Sequence, residues 1–173
     1  AILSQIGKVF IVTGGSNGLA YELTRQLYGA GAKVNILTRS KERTEAAISK
    51  IKAYYDDQDA RNQRGSLEFV HMNLMNIGTI KAAAQDVLDR EGPGGRLDVL
   101  PVNFIHYLAP NNPPLNVQGH KHHFAVDMLG SNLLTKLLWP IHSKTAESTL
   151  RGSVRVTRPG SILVELGSPK GGV

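Results

Sequence analysis

The 173-residue sequence predicts an α/β fold, a doubly wound parallel sheet of about five strands flanked by helices. Three observations predict it. Short β-branched apolar runs alternate with longer amphipathic stretches, a glycine-rich segment follows the first run, and the connections are long enough for crossover helices.

Taken in order, Lys8–Val12 (KVFIV) is short, β-branched and apolar after its lysine, as a strand buried on both faces should be. After the break at Gly14–Gly18, Leu19, Leu23 and Leu27 recur every four residues and mark one face of a first helix. Gly29-Ala30-Gly31 ends that helix, and Lys33–Leu37 is the second strand. Lys41–Tyr55 is a second helix with Ala46, Ala47, Ile48 and Ile51 on its inner side, and Asp56–Gly65 is a polar loop. Leu67–His71 is the third strand, Ile77–Arg90 the third helix, Glu91–Gly95 a turn, and Leu97–Leu100 the fourth strand. Asn111–Pro114 marks a long loop. A helix over Gly119–Trp139 follows and is expected to stop at Pro140. A polar loop, Ser143–Gly152, then leads to a fifth strand at Ser161–Leu166.

Composition narrows the function classes. An apolar fraction of 41% with 20% charged residues suits one soluble domain over residues 1–173. No apolar run approaches the roughly 20 residues that cross a bilayer, so no membrane association is expected. The opening Ala1–Ile6 is too short and weakly charged for a secretory signal, and a cytoplasmic protein is expected. The absence of cysteine excludes disulfides, thiolate catalysis and Cys-based zinc sites. The net charge of +6 suits an anionic ligand, but the cations are scattered and aromatics are few, which argues against nucleic acid.

Thr13-Gly14-Gly15-Ser16-Asn17-Gly18-Leu19-Ala20 joins the first strand to the first helix. Glycines there permit positive φ and close approach of a ligand to the backbone, and the following helix N-terminus suits a pyrophosphate. This placement reads as a dinucleotide site at Gly14, Ser16, Asn17, Gly18 and Leu19. At the end of the second strand, Leu37-Thr38-Arg39-Ser40-Lys41 carries no acid to bind a ribose 2′-hydroxyl. The Arg39 guanidinium instead suits a 2′-phosphate, so NADP(H) is expected over NAD(H); the plainer alternative is a solvated charge at a helix start.

Gly7–Leu19 resembles the opening of a short-chain dehydrogenase/reductase, and the resemblance runs along the chain, nearest to fungal retinol-dehydrogenase-like members. It implies a Rossmann-type fold and an NADP(H)-dependent oxidoreductase interconverting a carbonyl and an alcohol on a small molecule. Ala20 stands where the family commonly has its third glycine. His71-Met72-Asn73-Leu74 resembles the segment flanking the adenine, with Asn73 in place of the family's Asp and Leu74 following it. Leu97–Leu100 resembles the strand before the Asn-Asn-Ala-Gly motif, of which Asn103 alone is retained, with Phe104 and Ile105 where the family keeps Ala and Gly. Gly119–Gly130 resembles the central helix, whose catalytic Asn falls on Asp127. Leu163–Ser168 resembles the strand that ends in the substrate-orienting serine, which falls on Ser168; a plain surface serine is the alternative.

The family's Tyr-x-x-x-Lys has no counterpart, since none of the tyrosines at 21, 28, 54, 55 and 107 begins one. The sequence therefore reads as a dinucleotide-binding domain truncated before that motif, and a catalytically degenerate NADP(H)-binding or interaction module stays open as the alternative. His120, His122 and His123 read as a solvated helix start rather than a metal site. Phe124, Met128, Leu133, Leu134, Leu137 and Leu138 form an apolar stripe. It is either core or, as the resemblance implies, a homodimer contact through the Gly119–Trp139 helix.

Overall fold

The computed structural model describes residues 2–56, 63–101, 113–158 and 169. Five parallel strands form one sheet in the order β3-β2-β1-β4-β5, where β1 is Val9–Thr13, β2 Lys33–Thr38, β3 Ser66–His71, β4 Val99–Pro101 and β5 Arg155–Thr157. Helices α1 (Gly18–Gly29), α2 (Lys41–Asp56) and α3 (Ile77–Glu91) connect them. A π-helical turn, Phe124–Gly130, runs into α4 (Ser131–Glu147). The doubly wound parallel α/β sheet expected from the sequence is the observed architecture.

Both faces of the sheet are covered, and β1 shows why Val9–Val12 is an unbroken apolar run. Val9 and Ile11 join Leu37, Ile80, Val87, Leu134 and Leu138 in the core beneath α3 and α4. Phe10 and Val12 join Ala20, Leu27, Val34, Ile36 and Ile51 beneath α1 and α2. Alternate residues of one strand thus serve two cores, which is what a period-2 pleat does between two helical layers. Just before β4, the buried Asp98 carboxylate accepts the Val9 N–H at 2.9 Å and is held by the Arg96 guanidinium, tying the β4 entry to the start of β1.

Four expectations are corrected by packing. Leu19 is 79% exposed, and the inner face of α1 is made by Ala20, Thr24, Leu27 and Tyr28 with Leu23 partly buried. Ala46 is likewise exposed, and Thr44 takes its place on the inner face of α2 beside Ala47 and Ile51. Pro140 does not stop a helix: α4 continues to Glu147 and absorbs the first part of the expected loop. Beyond the proline, Ile141, His142 and Thr145 are buried against the sheet. The His142 Nδ1–H donates to the Leu97 carbonyl at 2.8 Å and Thr145 Oγ1 accepts the Leu97 N–H at 2.9 Å. Those contacts outweigh the backbone bond that proline removes. Finally, Gly119 lies outside the helix, in a turn with φ +82°.

β5 pairs with β4 through Val99↔Arg155, Leu100↔Val156 and Pro101↔Thr157. Its three residues contain no apolar run and carry no periodic signal. The strand expected at Ser161–Leu166 lies outside the described residues. Among the described residues no helix is long and apolar enough to cross a membrane.

Candidate functional site

The carboxyl ends of β1, β2 and β3 open onto one cleft of about 280 Å³. Gly14 and Ser16 line it from the first loop, Thr38, Arg39, Ser40 and Arg43 from the second, and Met72, Asn73, Leu74 and Met75 from the third. His122 and Val126 close it from the helical segment after β4. Open α/β sheets bind ligands at this end of the strands.

Local sequence builds each wall. Gly14 has φ +70° and its N–H donates to the Leu37 carbonyl at 3.0 Å, which folds the loop against the end of β2. Gly15 is buried, and an added Cβ would stand 2.7 Å from Thr24 Oγ1 and 2.9 Å from Ile36 Cγ2. The close strand–helix approach therefore falls on Gly15 as well as on the small Ala20. Asn17 is the N-cap of α1, its Oδ1 accepting the Gly18 N–H at 2.8 Å. The Tyr21 N–H donates to the Asn17 carbonyl, so the amides of Leu19 and Ala20 precede the first helical bond of α1.

At the second wall, Ser40 caps α2 by accepting the Arg43 N–H on Oγ at 3.3 Å. The Thr38 and Thr44 hydroxyls share a bond of 2.6 Å. This cap sets Arg39 just before α2 and Arg43 in its first turn, both exposed on the cleft. Among the described residues neither guanidinium is paired with a carboxylate, and no carboxylate lines the cleft. Arg43 is also shared with a shallower depression lined by Ser16, Asn17, Tyr21, Ala46, Ala47 and Lys50.

The third wall is tied by Thr79, whose Oγ1 accepts the Asn73 N–H at 2.9 Å and donates to the Asn73 carbonyl at 2.8 Å. Gln118 braces the start of α3 by accepting the Ile77 N–H at 3.1 Å, while Asn116 Oδ1 accepts the His120 N–H at 2.7 Å and shapes the preceding loop.

The cleft gathers five of the expected residues: Gly14, Ser16, Arg39, Asn73 and Leu74. Asn17 lies on the adjoining depression, whereas Gly18 and Leu19 line neither. Asp127 is not on the cleft; its π-helical turn presents Val126 there instead. One Asp127 oxygen is 3.3 Å from His123 Nδ1, and the other is buried without a hydrogen-bond partner among the described residues. Asn103 and Ser168 lie outside the described residues. Sequence reading missed Arg43, Ser40 and His122. The sequence signal for the first two was available in the serine cap, which places a first-turn side chain beside the residue before the cap. His122 carried no such signal, because nothing local says that a helix after β4 reaches the loop after β3.

The geometry above belongs to a known family. The family model for short chain dehydrogenase matches residues 8–147, and the chain belongs to that family. It is 38% identical over 173 residues to a short-chain dehydrogenase/reductase of Phomopsis amygdali, covering 100% of this chain and 49% of that protein. It is 32% identical to short-chain dehydrogenase/reductase iacJ of Pestalotiopsis fici, covering 98% of this chain and 50% of that one. The chain thus spans about half the length of these curated relatives. Among solved structures, the Pseudomonas aeruginosa RhlG/NADP active-site complex superposes with a TM-score of 0.70 at 23% identity, covering 92% of this chain and 56% of that one, a likeness of fold.

Proposed function

We propose that this chain binds NADP(H) in the cleft and serves an oxidoreductase that interconverts a carbonyl and an alcohol on a small molecule. The observation that carries the reading is the pair Arg39 and Arg43 on a cleft that, among the described residues, no carboxylate lines. Two unspent guanidiniums suit a 2′-phosphate, whereas an acid in their place would suit a free ribose hydroxyl. The residues fit the rest of such a ligand. Positive φ at Gly14 turns the loop for close approach, the Leu19 and Ala20 amides offer donors to a pyrophosphate, and Met72, Leu74, Met75 and Val126 offer apolar walls to a base. Two structures of like fold, RhlG and a metagenomic short-chain oxidoreductase, were solved with NADP, which supports the same choice.

A bound reduced nicotinamide supplies hydride. In this reading Ser168 orients the reacting carbonyl, while Asp127, one position off the cleft, acts on it only through an intervening hydrogen-bond relay. Asn103 supports the cofactor from the segment after β4. The exposed Phe124, Met128 and Trp139 make the face through which two copies pair as a homodimer.

Calorimetric titration with NADPH and NADH tests the cofactor assignment. NADPH is expected to bind at least about tenfold tighter, and Arg39→Ala or Arg43→Ala to lose roughly tenfold or more for NADPH alone, the range of a charge-assisted hydrogen bond. Equal or tighter NADH binding would overturn it.

A further inference from the structure

We infer that Asn73 makes the base end of the cleft a hydrogen-bond donor, so that the site does not require the 6-amino group of adenine and accepts a 6-oxo purine equally well. The inference rests on the cofactor reading above.

Asn73 is held at several points. Its N–H and carbonyl are both bonded to Thr79 Oγ1, and its carbonyl also accepts the Asn76 N–H at 2.9 Å. Its side-chain Oδ1 accepts the Met75 N–H at 3.0 Å, closing a turn over the residue between them. The donor there is a backbone amide, so the oxygen must face it. Rotating the amide would set two donors against each other and leave the Met75 N–H without an acceptor. The oxygen is therefore committed to the backbone. The Nδ2 group, with two donors and no acceptor, has no protein partner among the described residues, and Asn73 lines the cleft.

A purine edge meets such a donor through an acceptor. Adenine offers N1, N3 and N7, and its 6-amino group is itself a donor. Hypoxanthine keeps N3 and N7, turns N1 into a donor and sets O6 in place of the amino group, so an acceptor still stands at the 6-edge for the Asn73 amide. A donor-only side chain thus gains nothing from the amino group. His122 also lines the cleft, and its ring can donate or accept, so His122→Leu separates its share from that of Asn73.

The test is calorimetric binding of NADP and its hypoxanthine analogue to the full 173-residue chain, to Asn73→Asp and to His122→Leu. The quantity read is the ratio of the analogue's Kd to that of NADP, in which the general effect of an added negative charge cancels. For the native chain the ratio is expected to stay below about twofold, less than the smallest net effect of one hydrogen bond. Asn73→Asp, nearly isosteric, turns the donor into an acceptor for the amino group and should raise the ratio at least about threefold. His122→Leu should leave it unchanged. A larger native ratio, a ratio unmoved by Asn73→Asp, or one moved by His122→Leu overturns the inference while leaving the cofactor reading intact. Failure of the native chain to bind either nucleotide overturns both.

Discussion

Replacing Gly15 by alanine adds one methyl group at the tightest point of the glycine loop. The new Cβ would stand 2.7 Å from Thr24 Oγ1, 2.9 Å from Ile36 Cγ2 and 3.4 Å from Val12 Cγ1. All three neighbours are fully buried, so none can swing into solvent. Thr24 is further committed, its hydroxyl donating to the Ala20 carbonyl at 2.8 Å. If α1 and β1 move apart, the cost is that of overpacking, about 1–3 kcal/mol. If Thr24 rotates instead, a buried hydroxyl loses its partner, at a cost of about 1–3 kcal/mol. Either route thus costs about 1–3 kcal/mol, a fall in Tm of roughly 2–12 °C for a chain of this size. Thermal unfolding followed by circular dichroism measures it. Thr24→Ala removes the nearest atom, so the double variant should recover about 1 kcal/mol or more relative to additivity. A Gly15→Ala protein that melts within 1 °C of the native chain, as an order-of-magnitude threshold, would refute the packing role assigned to this glycine.

Two further outcomes follow from the same contacts. Pro140→Ala restores a helical N–H at an exposed position of α4 and should stabilise the chain by about 1–3 kcal/mol, read from urea unfolding; a loss of stability would mean that the ring itself packs. The Glu22 carboxyl is held down from 4.5 to about 2 by hydrogen bonds from Arg25 and then Gln26. Its folded value is depressed, so its contribution to stability is present above pH 4.5 and is lost as pH falls towards 2. Carboxyl-carbon NMR should show Glu22 titrating near 2, and Arg25→Ala should return it towards 4.5; a native Glu22 titrating at 4.5 would contradict the pairing.

What the sequence determined by itself was the alternation of elements and the place of the glycine loop. Both are local. Val9–Val12 is apolar at every position because a strand between two helical layers has no polar face, and the loop must follow it directly. Arg39 was equally legible, since the residue at the end of the second strand occupies a defined place beside that loop. The positions that escaped were decided by contacts between segments far apart in the chain. Pro140 lies within a helix because His142 and Thr145 beyond it bind Leu97, some 45 residues earlier. Leu19 has the right spacing for a buried face, yet Ala20 and Thr24 are what the close approach to β1 admits. Arg39 gained a second cation, Arg43, through the Ser40 cap, and the cleft gained His122 from a segment that sequence order places after β4. Asp127 sits one position from the cleft because the π-helical turn sets which residue faces it. Periodicity records which side of an element is buried; which distant groups meet there is settled only when the layers pack.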